Sequence, residues 1–569
     1  MTRRPSRRPT SRLTGRTTER RVRRLTVVLL AGAVAAVAAG IASPTSAAPV
    51  GDPAGTPASA PVKVPGTGPV PVGTPKNGNP SAGGTAKPAT TCAHRVRSDF
   101  NGDGYADLAV GEPFRTVAGQ ASAGAVRIFY GSATGVRVTT GAQYFDQNTA
   151  NIGGSPTPGD EFGLALAPGY FNNDCYSDLA IGTPGEDDIT ILYGGPHGLS
   201  TTGIQQFAGR NARDGLGFAL AAGDVNGDGL DDLVASAPYA GNGEGEITSM
   251  IGGKAGLTAT KTWISQGTAG VPGVNEPGDL FGFSLAIGKF NADRFADVAI
   301  GTPFEDVGSS VDAGSVTVLK GSTKGVSATS SQLWTQDTKG VPGAVEAGDQ
   351  FGYSLATGDI NGDKLADLLI GIPGEDIGNT VDAGAALYLH GSTAGLTASG
   401  SLGITQNTKN VPGGPERGDS LGIAVAVGDF NGNGYADIAL GVPGEDLTAL
   451  NKKNAANAGS VDVLPGTAKG PTGTGSRAFS QDTAGVPGAV EPGDEFGSTL
   501  LPLQIYGHVR TDLLVGAQLE DDDASANVGS VTLLRASIGG LTGTRSQTFA
   551  EPGTGGGRHA NDEFGSSLG

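Results

Sequence analysis

The chain is poor in the residues on which many folds and most active sites depend. Of its 569 residues, two are Cys, two Met, two Trp and five His. Two cysteines exclude a disulfide-dense scaffold and a multi-cysteine zinc or iron–sulfur centre. His94, His197, His390, His508 and His559 are scattered without metal-ligand spacing. No Ser–His–Asp or Cys–His set is legible, so no nucleophilic enzyme can be read from the residues. Aromatics make up only 6% and charged residues 17%, and this shortage of long side chains argues against a helical bundle. A basic surplus is missing too. The net charge is −18, which argues against a nucleic-acid or anionic-membrane surface. Beyond residue 42 no apolar run approaches the length of about 18 residues that a membrane helix needs.

What is abundant is glycine and proline, 97 and 34 residues, so the chain is dense in turns. The first segment differs from the rest. Residues 1–47 carry ten Arg and one Glu, and an apolar run from Leu25 to Ala42 leads into Ser43-Pro44-Thr45-Ser46-Ala47. Basic, apolar and small-residue regions in that order predict a secretory signal over 1–47; an uncleaved anchor is the rival reading. Residues 48–91 are Pro, Gly, Ala, Thr and Ser with almost no large apolar side chain. Such a stretch buries too little to offset its ordering entropy, and it is predicted to be a disordered linker. Residues 92–569 form the folded part.

That part is a repeat. Phe-Gly or Leu-Gly opens a short run at Phe162, Leu216, Phe281, Phe351, Leu421, Phe496 and Phe564. An acidic loop follows, ending at Asp107, Asp178, Asp232, Asp297, Asp367, Asp437 and Asp512. A Gly-x-Pro stop such as Gly371-Ile372-Pro373 closes the unit. The period is about 70 residues. Each unit reads as four short strands without a sustained helical period; in the fifth they are predicted at 351–357, 366–371, 385–390 and 402–406. Seven units of four strands predict an all-β, seven-bladed β-propeller, with a linear β-solenoid as rival. The first acidic loop has no Phe-Gly run before it, and Phe564–Gly569 has no acidic loop after it. The C-terminal strand is therefore predicted to enter the first blade as its innermost strand and close the ring.

The order Phe-Gly, acidic loop, Gly-x-Pro resembles the FG-GAP repeat of integrin α-chain N-terminal propellers and of secreted bacterial proteins. The resemblance implies calcium in the loops between strands one and two of a blade, and extracellular binding or adhesion.

The loops support the metal reading on their own terms. Asp99, Asn101, Asp103 and Asp107 occupy positions one, three, five and nine, and the Tyr105 carbonyl supplies position seven. Alternate positions of a tight loop converge, and every donor is a hard oxygen suited to Ca²⁺. The pattern recurs with Asp224, Asn226, Asp228, Leu230 (carbonyl) and Asp232; with Asp359, Asn361, Asp363, Leu365 (carbonyl) and Asp367; and with Asp429, Asn431, Asn433, Tyr435 (carbonyl) and Asp437. An EF-hand would need Glu at position twelve, where Val110, Ala235, Ile370 and Leu440 stand. An Asx-rich turn without metal is the bland rival. About four Ca²⁺ ions are expected. The second and fourth loops are degenerate, with Tyr170 and Lys289 at position one, and the Lys289 ammonium is expected to pair with its loop's carboxylates. The seventh, with Gln504, Tyr506 and His508, is expected to bind no metal.

A second acidic set includes Glu186-Asp187, Glu305-Asp306, Glu375-Asp376 and Glu445-Asp446, with Asp279, Asp349, Asp419 and Asp494 in the loops after strand four. It reads either as a solvated rim or as a docking face. Cys92 and Cys175 are expected to form a disulfide, since export permits oxidation. The chain reads as a secreted monomeric binding or adhesion module for an unknown extracellular protein or polysaccharide. It has no nucleic-acid partner and no membrane span in the mature form. A propeller-based enzyme such as a polysaccharide lyase or phospholipase is the alternative.

Overall fold

The structure, a computed structural model, describes residues 96–569 apart from 139–140, 449–453, 508, 522–524 and 551–559. The expected signal, the linker and Cys92 lie outside the described residues; Cys175 is not a free thiol. Among the described residues the strands form seven four-stranded antiparallel sheets and one two-stranded hairpin, Leu447–Thr448 with Asn454–Ala455. The one helical assignment, Ala240–Gly243, contains left-handed residues and is a tight turn. No helix among the described residues is long and apolar enough to cross a membrane.

The fifth blade shows why the sequence folds this way. Its strands, Leu355–Gly358, Asp367–Ile372, Ala385–His390 and Thr397–Ile404, pair in chain order. Asp367–Ile372 is buried at every residue, as an apolar strand stacked between two neighbouring sheets must be. Leu355–Gly358 is equally buried but small, because the sheets converge toward the axis. Thr397–Ile404 is half exposed at the rim. It begins five residues earlier than the apolar pattern suggests, since a rim strand needs only pairing partners, and Thr, Ser and Gly supply those.

The innermost strand also begins later than predicted. Phe351-Gly352 is not strand but the crossing between blades. The Phe351 N–H donates to Ala313 O of the preceding blade (2.9 Å), and the Gly352 N–H to Gly371 O (3.2 Å). Gly352 has φ +90°, and Gly314 opposite has φ +87°. A Cβ on Gly314 would lie 2.3 Å from Phe351 O, so both turns require glycine. The Phe ring is fully buried and staples adjacent blades.

Ring closure follows the sequence reading. Ser567–Leu568 pairs with Leu108–Glu112, and Ala109 and Gly569 exchange backbone hydrogen bonds of 2.8 and 2.9 Å. Ser567 Oγ donates to Gly163 O of the second blade (2.6 Å). Phe564 packs edge-on against Phe129 at 6.1 Å.

Candidate metal loops and the acidic junctions

The sequence-predicted ligands lie together at one end of their blades, in the loop between the first and second strands. In the first loop Asp99 is the organising side chain. Its Oδ1 accepts the N–H groups of Gly102 (2.7 Å) and Asp103 (3.1 Å), and its Oδ2 accepts that of Gly104 (2.8 Å). Asn101 Oδ1 then takes the Asp103 N–H, and Asp103 Oδ1 the Tyr105 N–H. Loops three, five and six repeat the scheme from Asp224, Asp359 and Asp429. In them the N–H groups of Leu230, Leu365 and Tyr435 are held by Asp228, Asp363 and Asn433. This Asx ladder fixes the bend of the loop by giving its backbone N–H groups acceptors.

The ninth position does more than the sequence reading assigned to it. Asp367 Oδ2 accepts the Ile360 N–H (2.9 Å), while Oδ1 accepts that of Gly391 (2.9 Å), at the corner between the third and fourth strands. Asp107, Asp178, Asp232, Asp297, Asp437 and Asp512 make the same link to Gly131, Gly194, Gly252, Gly321, Gly466 and Ala536. It is therefore a strut present in every blade. This explains why the seventh loop keeps Asp512 after losing the other carboxylates.

Burial pushes the Asp107 and Asp178 carboxyls up to about 8 and those of Asp232, Asp367 and Asp437 up to about 7, opposed by the N–H donors above and reinforced by neighbouring carboxylates such as Asp103 and Asp363. Buried charge of one sign without a basic partner favours a cation, and the all-oxygen donor set fits Ca²⁺. The amides are set differently. Asn226, Asn361 and Asn431 turn Nδ2 toward the terminal Asp, at 3.3, 3.3 and 2.8 Å, and a cation there would need the amide oxygen instead. Among the described residues no group of three or more Asp, Glu, His or Cys side chains stands at metal-binding distance.

One expectation needs correction. Lys289 is exposed and makes no ion pair among the described residues; its backbone carbonyl accepts the Ala366 N–H instead, so its ammonium does not replace a cation. In the seventh loop Tyr506 stacks under Arg535, with the guanidinium 4.4 Å from the ring centroid. His508 lies outside the described residues.

The second acidic set is not simply a solvated rim. Asp279, Asp349, Asp419 and Asp494 are buried. Each accepts a backbone N–H three residues before it. Glu305, Glu375, Glu445 and, in the seventh blade, Glu520 are each met by a glutamine from the preceding blade, a contact the sequence reading missed: Gln336 Nε2 donates to Glu375 Oε2 at 2.6 Å, and Gln406 Nε2 to Glu445 Oε2 at 2.6 Å. The signal was legible, since Gln and Glu stand 39 residues apart in each case.

The FG-GAP repeat profile matches residues 96–129, 216–250, 281–319, 351–389 and 421–464, which are five of the seven blades. The unmatched second and seventh blades have degenerate loops. The chain is similar to human integrin alpha-7, 34% identical over 171 residues, which are 29% of this chain and 13% of that protein. It is similar to Xenopus laevis integrin alpha-5, 30% identical over 263 residues, 44% of this chain and 22% of the relative. It is also similar to mouse phosphatidylinositol-glycan-specific phospholipase D, 36% identical over 155 residues, 26% of this chain and 18% of that protein. In each case the match spans under a quarter of the relative. The chain thus carries FG-GAP repeats on a seven-bladed propeller like that of integrin α chains.

Proposed function

We propose that this is an exported, calcium-stabilised propeller that acts as an extracellular binding or adhesion module. The observation that carries the calcium part is the repetition of one all-oxygen Asx loop at four equivalent positions, ending in a buried carboxylate raised toward neutrality. With Ca²⁺ bound, loops one, three, five and six would hold it through the residues at positions one, three, five and nine and the carbonyl at seven. The ion would balance that buried charge. Export is supported by the basic–apolar–small order of residues 1–47. The binding role is supported by the integrin α relatives and by carboxylates that recur in register, whereas a catalytic pair would be singular.

The test is immobilised full-length protein, screened against matrix proteins and polysaccharides in millimolar calcium and in chelator. Saturable binding of one class in calcium supports the reading. Hydrolysis or cleavage of a polysaccharide or phospholipid without stable binding would favour the enzyme reading, to which the phospholipase D relative lends its name.

A further inference from the structure

The buried junctions between blades carry a second set of polar groups that the loop sites do not use. At the fourth–fifth junction Gln336, Asp349 and Glu375 meet; at the fifth–sixth, Gln406, Asp419 and Glu445. The spacing of 13 residues from Gln to Asp and 39 from Gln to Glu is the same at both, and it recurs from Gln147, Gln266 and Gln481; Gln147 has no Nε2 bond to its Glu, so four junctions share one geometry.

Gln266, Gln336, Gln406 and Gln481 each use Nε2–H on the Glu, and each leaves its carbonyl oxygen without a donor. Gln266, Gln336, Gln406 and Gln481 are 3 to 5% exposed, and every Oε1 is buried and unpartnered. At the fifth–sixth junction Asp419 Oδ1 and Asp462 Oδ2 are unpartnered as well, on residues 0% and 1% exposed. Four equivalent places thus bury a bare amide oxygen on a glutamine whose Nε2–H already meets a Glu carboxylate, with no basic side chain in ion-pair distance among the described residues. Buried oxygens of this kind are costly unless something positive or hydrogen-donating meets them.

The seventh–first junction shows what does. There Arg115 stands where the alignment of Gly-x-Pro-Gly-Glu would put the Glu. Its guanidinium reaches Asp562, the counterpart of Asp349, at 3.4 Å, and Glu112 at 2.9 Å. At that one junction the chain supplies its own buried cation.

We propose that the four Gln–Asp–Glu junctions from the third–fourth to the sixth–seventh are cation sites for a hard divalent ion of the calcium class. The two carboxylates supply the charge, the amide oxygen becomes a donor when the amide turns over, and the ion pins neighbouring blades together as Arg115 does between the last and the first. The fifth–sixth site, with Asp462 adding charge, is the tightest. These sites are separate from the loop cages, so the proposal does not need the loops to bind metal.

The experiment uses the full chain with calcium as the probe. Glu375→Gln removes one donor charge and keeps the shape. The expected result is one fewer calcium ion per chain by equilibrium dialysis. The melting temperature should fall in calcium and be unchanged or higher in chelator, since the variant also removes a buried charge. Glu445→Gln should show the larger loss. An unchanged ion count, or a rise in melting temperature of the same size in both media, overturns the proposal and leaves these junctions to protons or water. Asp363→Ala is run in parallel. An ion lost there but not in Glu375→Gln would sink this inference and spare the loop reading; the converse would do the opposite.

Discussion

A single carboxylate does two jobs in each metal loop, and substitution separates them. Asp367 and Asp512 both tie the first loop of a blade to its far corner. Removing either strands a buried N–H, which costs roughly 1–3 kcal/mol. Only the fifth loop offers a cation the other donors. Asp363 is exposed, and the acceptor bond it makes is to Leu365 within the loop. Asp363→Ala should therefore lower the melting temperature mainly in calcium, whereas Asp512→Ala should lower it by similar amounts in calcium and in chelator. Differential scanning fluorimetry of both variants in the two media decides this, and equal calcium dependence for the two would contradict it. Gly362 makes a separate demand. Its φ is +77°, and a Cβ would lie 2.7 Å from the Tyr435 ring of the next blade. Gly362→Ala should destabilise by about 1–2 kcal/mol in either medium, read from urea midpoints.

At the scale of the element, the last strand matters more than its two paired residues suggest. Ser567–Leu568 covers the inner edge of the first blade, Ser567 reaches across to the second, and Phe564 is fully buried against Phe129. Deleting Phe564 to Gly569 exposes the backbone edge of Leu108–Glu112 and opens a cavity of phenylalanine size; loss of a buried Phe alone costs about 3–5 kcal/mol. The truncated protein is expected to melt lower and to aggregate on heating, as light scattering during a thermal ramp would show. Identical ramps for both proteins would mean that the strand does not close the ring. The element scale is also where sequence reading lost precision. Strands two and three were legible from runs such as Asp367–Ile372, because burial on both faces leaves a continuous apolar signature. The rim strand Thr397–Ile404 starts before its apolar pattern does, and Phe351-Gly352 carries the pattern of a strand start without being one. Rim pairing leaves little apolar pattern, and an inter-blade staple looks, residue by residue, like the start of a strand.

For the whole molecule, the many buried carboxyls set the pH response. Burial first, and neighbouring carboxylates after it, push Glu375 and Glu445 up to about 7, Glu520 up to about 8 and Asp494 up to about 7. In an unfolded chain such groups titrate near 4. The folded state therefore holds more protons than the unfolded state between about pH 4 and pH 8, and stability falls as pH rises through that window. In chelator the melting temperature should be lower at pH 8 than at pH 5.5. Millimolar calcium should shrink that difference, because a bound cation stabilises the charged form and binds only the folded protein. A chelator profile that is flat or rises with pH would contradict the buried-carboxyl account.

Composition and period alone determined the fold class, the seven-fold count, the closing strand and the loops with a cation's donor set. Each follows from local chemistry repeated in register: glycine where φ is positive, apolar runs where both faces are covered, Asx residues where backbone N–H groups need acceptors. Only the tertiary structure decided which acidic residues are buried, that the ninth-position Asp is a strut in every blade, that Lys289 is exposed, and that Gln336 meets Glu375 while Arg115 meets Asp562. Those facts depend on which blade packs against which. A pair 39 residues apart becomes a contact only when the ring brings the rim of one sheet against the loops of the next.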